Sequence, residues 1–111
     1  MGYDLHITRR KEWSEEGNDI AFDEFVRCVE ADKEFTHPGQ MGDDCVDWKN
    51  PVTGREFWLC WFKGRIHTKN PEPELIDKMI VVASELHARV VGDDGETYLS
   101  ANEIKKESPT M

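Results

Sequence analysis

The 111-residue sequence predicts an α+β fold, a mostly antiparallel sheet with two amphipathic helices packed on one face. Three patterns carry that expectation. Tyr3, Leu5 and Ile7 alternate with Asp4, His6 and Thr8, the period-two signature of a half-buried strand. Phe22, Phe25, Val26 and Val29 fall at helical spacing, and so do Leu75, Ile76, Met79, Ile80, Ala83 and Leu86. Between these helices the apolar run Phe57-Trp58-Leu59-Cys60-Trp61-Phe62 meets Lys63-Gly64 and then Arg65-Ile66-His67-Thr68-Lys69, which reads as two strands joined by a tight turn.

The remaining elements follow in order. The polar run Arg9 to Asp19 reads as a loop, with Trp13 tucked back onto the body. On the first helix, Asp23 and Arg27 sit at the spacing of a favourable surface pair. Thr36 to Gly54 is rich in turn formers (Pro38, Gly39, Gly42, Asp43, Asp44, Pro51, Gly54) and reads as a long loop, broken by a short strand near Val46 to Trp48. Asn70-Pro71-Glu72-Pro73-Glu74 opens the second helix: Asn70 can cap it, Pro is tolerated in the first turn, and the acids suit the helix dipole. Ala88 to Val91 and Thr97 to Ser100 form a final hairpin around Gly92-Asp93-Asp94-Gly95-Glu96, an Asp-Gly turn signal. The polar tail from Ala101 is expected to fray. No repeat, low-complexity tract or linker divides the chain, so residues 1–111 read as a single domain, with 101–111 as the frayed tail.

A two-residue Lys63-Gly64 turn would pair Phe62 with Arg65, Trp61 with Ile66, Cys60 with His67, Leu59 with Thr68 and Trp58 with Lys69. Phe57, Leu59, Trp61 and Ile66 would then face the helices. The opposite face would carry Trp58, Cys60 and Phe62 beside Arg65, His67 and Lys69, joined by Asp4, His6 and Thr8. Cations stack well on aromatic rings, so this outer patch is where recognition is expected. Three readings remain open: cations shielding two aromatics on a solvated or loop-covered sheet, a self-association face, and a face for a different protein.

The chain has 23 acidic and 14 basic residues, a formal net charge of −9, which disfavours nucleic acid and anionic membranes as partners. No apolar run approaches the roughly 20 residues of a membrane-spanning helix, and the start Met1-Gly2-Tyr3-Asp4 lacks a secretion signal or, with His6, a myristoylation motif. Cys28, Cys45 and Cys60 are odd in number and lack a C-x-x-C pair, so a reduced, cytoplasmic protein is the economical expectation.

Searches for chemistry return little. Cys60 opposite His67 suggests a thiolate–imidazole pair but lacks a third orienting group, and a buried cysteine is the plainer reading. His37, Asp43, Asp44, Cys45 and Asp47 include plausible ligand types, yet their spacing matches neither zinc nor calcium frameworks, so no metal or cofactor is assigned. No nucleophile elbow, phosphate loop, dinucleotide fingerprint or zinc-protease motif is present. No catalytic residue is therefore named.

Four segments together (Tyr3-Asp4-Leu5-His6-Ile7-Thr8-Arg9, Phe22-Asp23-Glu24-Phe25, the aromatic strand, and Val90-Val91-Gly92-Asp93-Asp94-Gly95-Glu96-Thr97-Tyr98) resemble a class of small, single-domain, uncharacterised bacterial proteins. That resemblance covers most of the chain and implies a fold but no activity. Small size, acidity and missing catalytic motifs also match the profile of immunity proteins of toxin systems, an analogy of composition alone. The leading expectation is a non-catalytic protein-binding module or homodimer. Trp58 and Phe62 would anchor it, with Arg65, His67, Lys69 and His6 around them. Asp43, Asp44, Asp47, Asp93 and Asp94 would steer a basic partner. The alternative is a small-anion or metal-dependent ligand site or enzyme using His6, His67, Arg65 and Lys69.

Overall fold

The first alternating segment forms β1 (Asp4–Thr8), and in the computed structural model it lies near the middle of the sheet rather than at an edge. The structure describes residues 3–10, 17–93, 95–100 and 103–105; Trp13 and Asp94 lie outside the described residues. The other strands are β2 (Phe35–Thr36), β3 (Cys45–Lys49), β4 (Glu56–Phe62), β5 (Arg65–Lys69), β6 (Arg89–Gly92), β7 (Thr97–Ser100) and β8 (Glu103–Lys105). Among the described residues they make one antiparallel sheet in the order β2-β3-β4-β5-β1-β6-β7-β8. The α+β expectation holds, with α1 (Phe22–Glu30) and α2 (Pro73–Glu85) sharing one core with the sheet. No helix among the described residues is long and apolar enough to cross a membrane.

Alternation decides which side chains enter that core. Leu5 and Ile7 of β1, Val46 and Trp48 of β3, Leu59 of β4, Ile66 of β5 and Val90 of β6 pack against Phe25 and Val29 of α1 and Leu75, Met79, Val82 and Ala83 of α2. Trp61 reaches the same side and donates its indole N–H to the Ile20 carbonyl at 2.7 Å. Along α2, Leu75, Ile76, Met79, Ala83 and Leu86 are buried as expected, Val82 joins them, and Ile80 only borders the core.

α1 starts without a polar cap, because Ala21 has no side-chain acceptor. Glu24 compensates from within the helix, accepting from the Ala21 N–H at 3.0 Å. The same carboxylate takes both ends of the Arg9 guanidinium, at 3.0 and 2.8 Å. Arg9 and then the Ala21 amide hold the Glu24 carboxyl down at about 2.

Three expectations need correction. Asn70 does not cap α2; Glu72 precedes Pro73 at the helix start, while Asn70 takes φ +49° and clamps β1, accepting from the Tyr3 N–H at 2.8 Å and donating to the Tyr3 carbonyl at 2.7 Å. Of the tail expected to fray from Ala101, Glu103–Lys105 form β8, which pairs with β7, and the rest lies outside the described residues. Its lone Ile104 gives no periodicity to read, so only a partner strand could reveal it.

The third concerns the cysteines. Cys45 and Cys60 are direct cross-strand partners on β3 and β4 and form a disulfide, leaving Cys28 as the thiol. The Trp61 N–H donates to the Asp44 carbonyl next to this pair, so the two cysteines occupy a non-hydrogen-bonded site, where facing side chains come closest. The inference from three thiols to a reducing compartment loses its premise, since disulfides persist mainly under oxidising conditions.

Candidate functional site

The β4–β5 turn is the two-residue kind the sequence suggests, with Lys63 at φ +49° and Gly64 at φ +86°. A Cβ at Gly64 would collide with Asp19 and the Arg10 guanidinium, which sit over the turn. Arg10 donates to Asp19 at 2.6 Å, to the Gly17 carbonyl at 2.9 Å and to the Lys63 carbonyl. The turn fixes Phe62 opposite Arg65, Trp61 opposite Ile66 and Cys60 opposite His67, the register anticipated.

That register arranges the outer face in rows that run straight across the strands. The middle row is Cys45, Cys60, His67, His6 and Val91, one from each of β3, β4, β5, β1 and β6. One side of it holds Asp47 and Trp58, with Lys69 and Asp4 continuing the row. On its other side Phe62 faces Arg65. The aromatic and cationic side chains expected together are therefore brought together. His67 meets Trp58 edge-on at 5.9 Å between ring centres and Phe62 at 6.5 Å. Arg65 and Lys63 lie over the Phe62 ring at 5.5 and 5.2 Å.

Exposure divides this face. Phe62 is 47% exposed and Lys69 is exposed, whereas Trp58, Arg65 and His67 are half-buried. His6 is only 2% exposed, and Thr8 and Val91 are buried beside it. The segment between Thr36 and Gly54 does not close over Phe62. Its first part runs along β3, with the Gly39 N–H donating to the Cys45 carbonyl at 2.7 Å and the Gln40 N–H to Asp47 at 3.0 Å. Its last part turns toward α2, where Thr53 donates to Glu74.

Three of the expected site residues have structural work, Asp47 through the Gln40 N–H and His6 and Asp93 through each other. The His6 Nε2–H donates to the Asp93 carboxylate at 2.9 Å, and that carboxylate also accepts from the Asp4 N–H at 3.0 Å. The Tyr3 hydroxyl donates to Glu96, and Gly92 leaves the space in which those two groups meet. The Asp93 hairpin is thus tied to β1. His6 supports the face rather than being presented by it, and Asp93 is engaged rather than projecting for long-range steering. Asp43 and Asp44 are exposed at the Phe62 end of β3, as steering groups would be. Cys60 cannot act as a thiolate toward His67 because its sulfur is bonded to Cys45. Among the described residues no group of three or more His, Cys, Asp or Glu is placed to hold a metal ion, the His37–Asp47 loop included.

Both outer-face histidines are held below the ordinary imidazole value of 6.5. For His6 burial is the main cause, opposed by Asp93; for His67 burial comes first, then the charge of Arg65 and the neighbouring His6. The unfolded chain therefore binds more protons than the folded one just below that value. Stability is expected to be steady above about pH 6.5 and to fall as the pH drops through that value. A thermal-unfolding series from pH 8 to 5 checks this, and His67→Gln should flatten the dependence; an unchanged slope in that variant would assign it to other groups.

A second concavity escaped the sequence reading. A groove of about 350 Å³ between α1 and α2 is lined by Arg9, Glu24, Arg27, Cys28, Glu85 and Leu86. Its charges are largely paired internally. The Cys28 thiol donates to Glu85 at 3.3 Å, and burial and then that carboxylate push it up to about 12, so it is not a poised nucleophile.

Comparison with known proteins does not extend this geometry. The chain matches no family model, no curated protein and no solved structure. The reading of function therefore rests on the outer face alone.

Proposed function

We propose that the protein is a non-catalytic binding module for another protein surface, docking through the Phe62 half of the outer sheet face. The observation that carries this reading is the half-exposed Phe62 ring, held by two cations and by His67 on a stiff three-strand platform. A large aromatic that keeps its rotamer before binding loses little entropy on docking, which is the usual character of an interface anchor. Trp58, two rows away on the same strand, extends the anchor, and the disulfide in the row between them stiffens β3 against β4.

The charges beside the anchor refine the expected partner. Asp47 and Lys49 share the outer face of β3, Glu56 lies opposite Lys49 on β4, and Arg65 and Lys69 stand on β5. A face that carries both signs favours a partner of mixed charge over a uniformly basic one. The small-anion alternative keeps Arg65, His67 and Lys69, but burial of His6 against Asp93 withdraws one of its four groups.

The test compares proteins retained from the source cells by immobilised wild type, Phe62→Asp and Val81→Asp. Val81 is 49% exposed on α2, away from the sheet's outer face, and serves as the control. Retention lost in Phe62→Asp and kept in Val81→Asp is expected, with folding of all three confirmed by circular dichroism. Equal retention by Phe62→Asp would overturn the assignment of this face.

A further inference from the structure

We infer that the Cys45–Cys60 bond is a redox switch for the outer face: the oxidised protein presents the Trp58 and Phe62 rings preorganised, and reduction by a small dithiol loosens them. The role of the bond rests on the reading of this face as a docking surface and adds regulation to it.

The bond lies where a change in it reaches both rings. Cys60 stands on β4 between Trp58 and Phe62, and alternation puts all three on the outer face. Its registered partner on β5 is His67. The His67 ring meets Trp58 edge-on at 5.9 Å and Phe62 at 6.5 Å, so one imidazole touches both anchors and faces the cysteine between them. Bonded sulfurs are about 2.05 Å apart, whereas non-bonded heavy atoms settle at about 3.5–4.0 Å. Breaking the bond therefore pushes the sulfurs apart. Cys45 and Cys60 are both buried, so the displaced Cys60 sulfur stays among its neighbours: Trp58 and Phe62 along the strand, His67 across it. Anchors held before binding lose that advantage when the residue between them moves.

A switch needs two folded states that differ at the site. The ladder supplies them. Next to the cysteines the Trp61 N–H donates to the Asp44 carbonyl at 2.8 Å, and the Val46–Leu59 and Trp48–Phe57 pairs hold the register without any sulfur. Val46, Trp48 and Leu59 also sit in the core on the opposite face. Reduction thus leaves β3 on β4 and acts on the outer side chains.

The chemistry is thiol–disulfide exchange. One thiolate of the dithiol attacks a cysteine sulfur, forming a mixed disulfide, and the other cysteine leaves as a thiolate and takes up a proton. The second thiolate of the reagent then attacks the mixed disulfide, closes its own disulfide and releases the first cysteine, which is protonated in turn. Two electrons pass from the dithiol to the protein. By linkage, a partner that prefers the oxidised face makes the bond harder to reduce by the same factor.

Titration of isotopically labelled protein with dithiothreitol tests this, with thiols counted by alkylation and mass and folding followed by circular dichroism. Two further thiols beyond Cys28 are expected to appear while the protein stays folded. The ring resonances of Trp58, Phe62 and His67 should shift with them, and those of Trp48 should hold. Cys45→Ser, which keeps the Cys60 thiol and cannot form the bond, should show the shifted resonances without dithiol and ignore its addition. Retention of proteins from the source cells should fall for reduced wild type and recover on reoxidation.

Thiols that appear only as the chain unfolds, or appear with the three rings unmoved, overturn the switch and leave the face to the comparison with Phe62→Asp. Shifted rings with equal retention in both redox states, where Phe62→Asp still loses it, overturn the regulation and support the face. Equal retention by Phe62→Asp overturns the face and the switch together.

Discussion

Replacing the Cys45–Cys60 disulfide with two alanines is expected to lower the unfolding free energy by about 3 kcal/mol, the chain-entropy value for a closed loop of about 15 residues. The bond spans a sequence separation of 15, and its removal lets the Val46–Leu59 segment explore an unfolded ensemble that the cross-link otherwise restricts. In a protein of this size that loss corresponds to a fall in Tm of about 12 °C. Differential scanning calorimetry of Cys45→Ala/Cys60→Ala against wild type, each with and without reductant, measures it. Wild type unfolded and refolded in reductant should approach the variant, and the variant should ignore reductant. Coincident transitions for all four samples would mean that the two sulfurs are not joined in solution. The register of β3 on β4 should survive the substitution, since Val46–Leu59 and Trp48–Phe57 remain paired and Trp48 stacks on Phe57 at 5.7 Å.

Phe25→Ala is expected to cost more still, about 3–5 kcal/mol. Phe25 is fully buried and is the largest such side chain in the core. It is also α1's main hold on the sheet, as that nine-residue helix buries only Phe25 and Val29 completely. A helix this short is not stable by itself in water, so its persistence depends on that contact. Since domains of this kind are typically stable by about 5–15 kcal/mol, the variant should be close to unfolding at room temperature. Urea titration followed by Trp fluorescence reports it, with Trp61 as a local probe because its indole N–H is bonded to the Ile20 carbonyl just before α1. Val26→Ala, one position along and half-buried, should lose much less. Equal losses in both variants would contradict the docking of α1 through its Phe25 face.

The pairing of β4 with β5 was legible residue by residue because Lys63-Gly64 is a local signal: a two-residue turn leaves one register for the strands it joins. Helix faces were legible for the same reason, since their periodicity lies within one stretch of chain, with Val82 for Ile80 the one exchange on α2. The gathering of Trp58, Phe62, Arg65, His67 and Lys69 on one face follows from those two facts alone. What escaped was non-local. Asn70 carries a capping residue type, but Tyr3, 67 positions earlier, uses it. Cys45 and Cys60 look unrelated until β3 lies against β4, and β8 has no pattern of its own until β7 offers an edge.

The sequence by itself determined the α+β class, the strands and helices with a repeating pattern, the tight turn, and the membership of the aromatic–cationic face. Each is set by the steric period of the backbone or by the φ preference of a few adjacent residues. Tertiary structure alone decided that His6 and Asp93 are locked together beneath that face and that two cysteines are bonded across it. Those features depend on the order and register of strands distant in sequence, which arise from many weak contacts formed at once and leave no mark on any one segment of the chain.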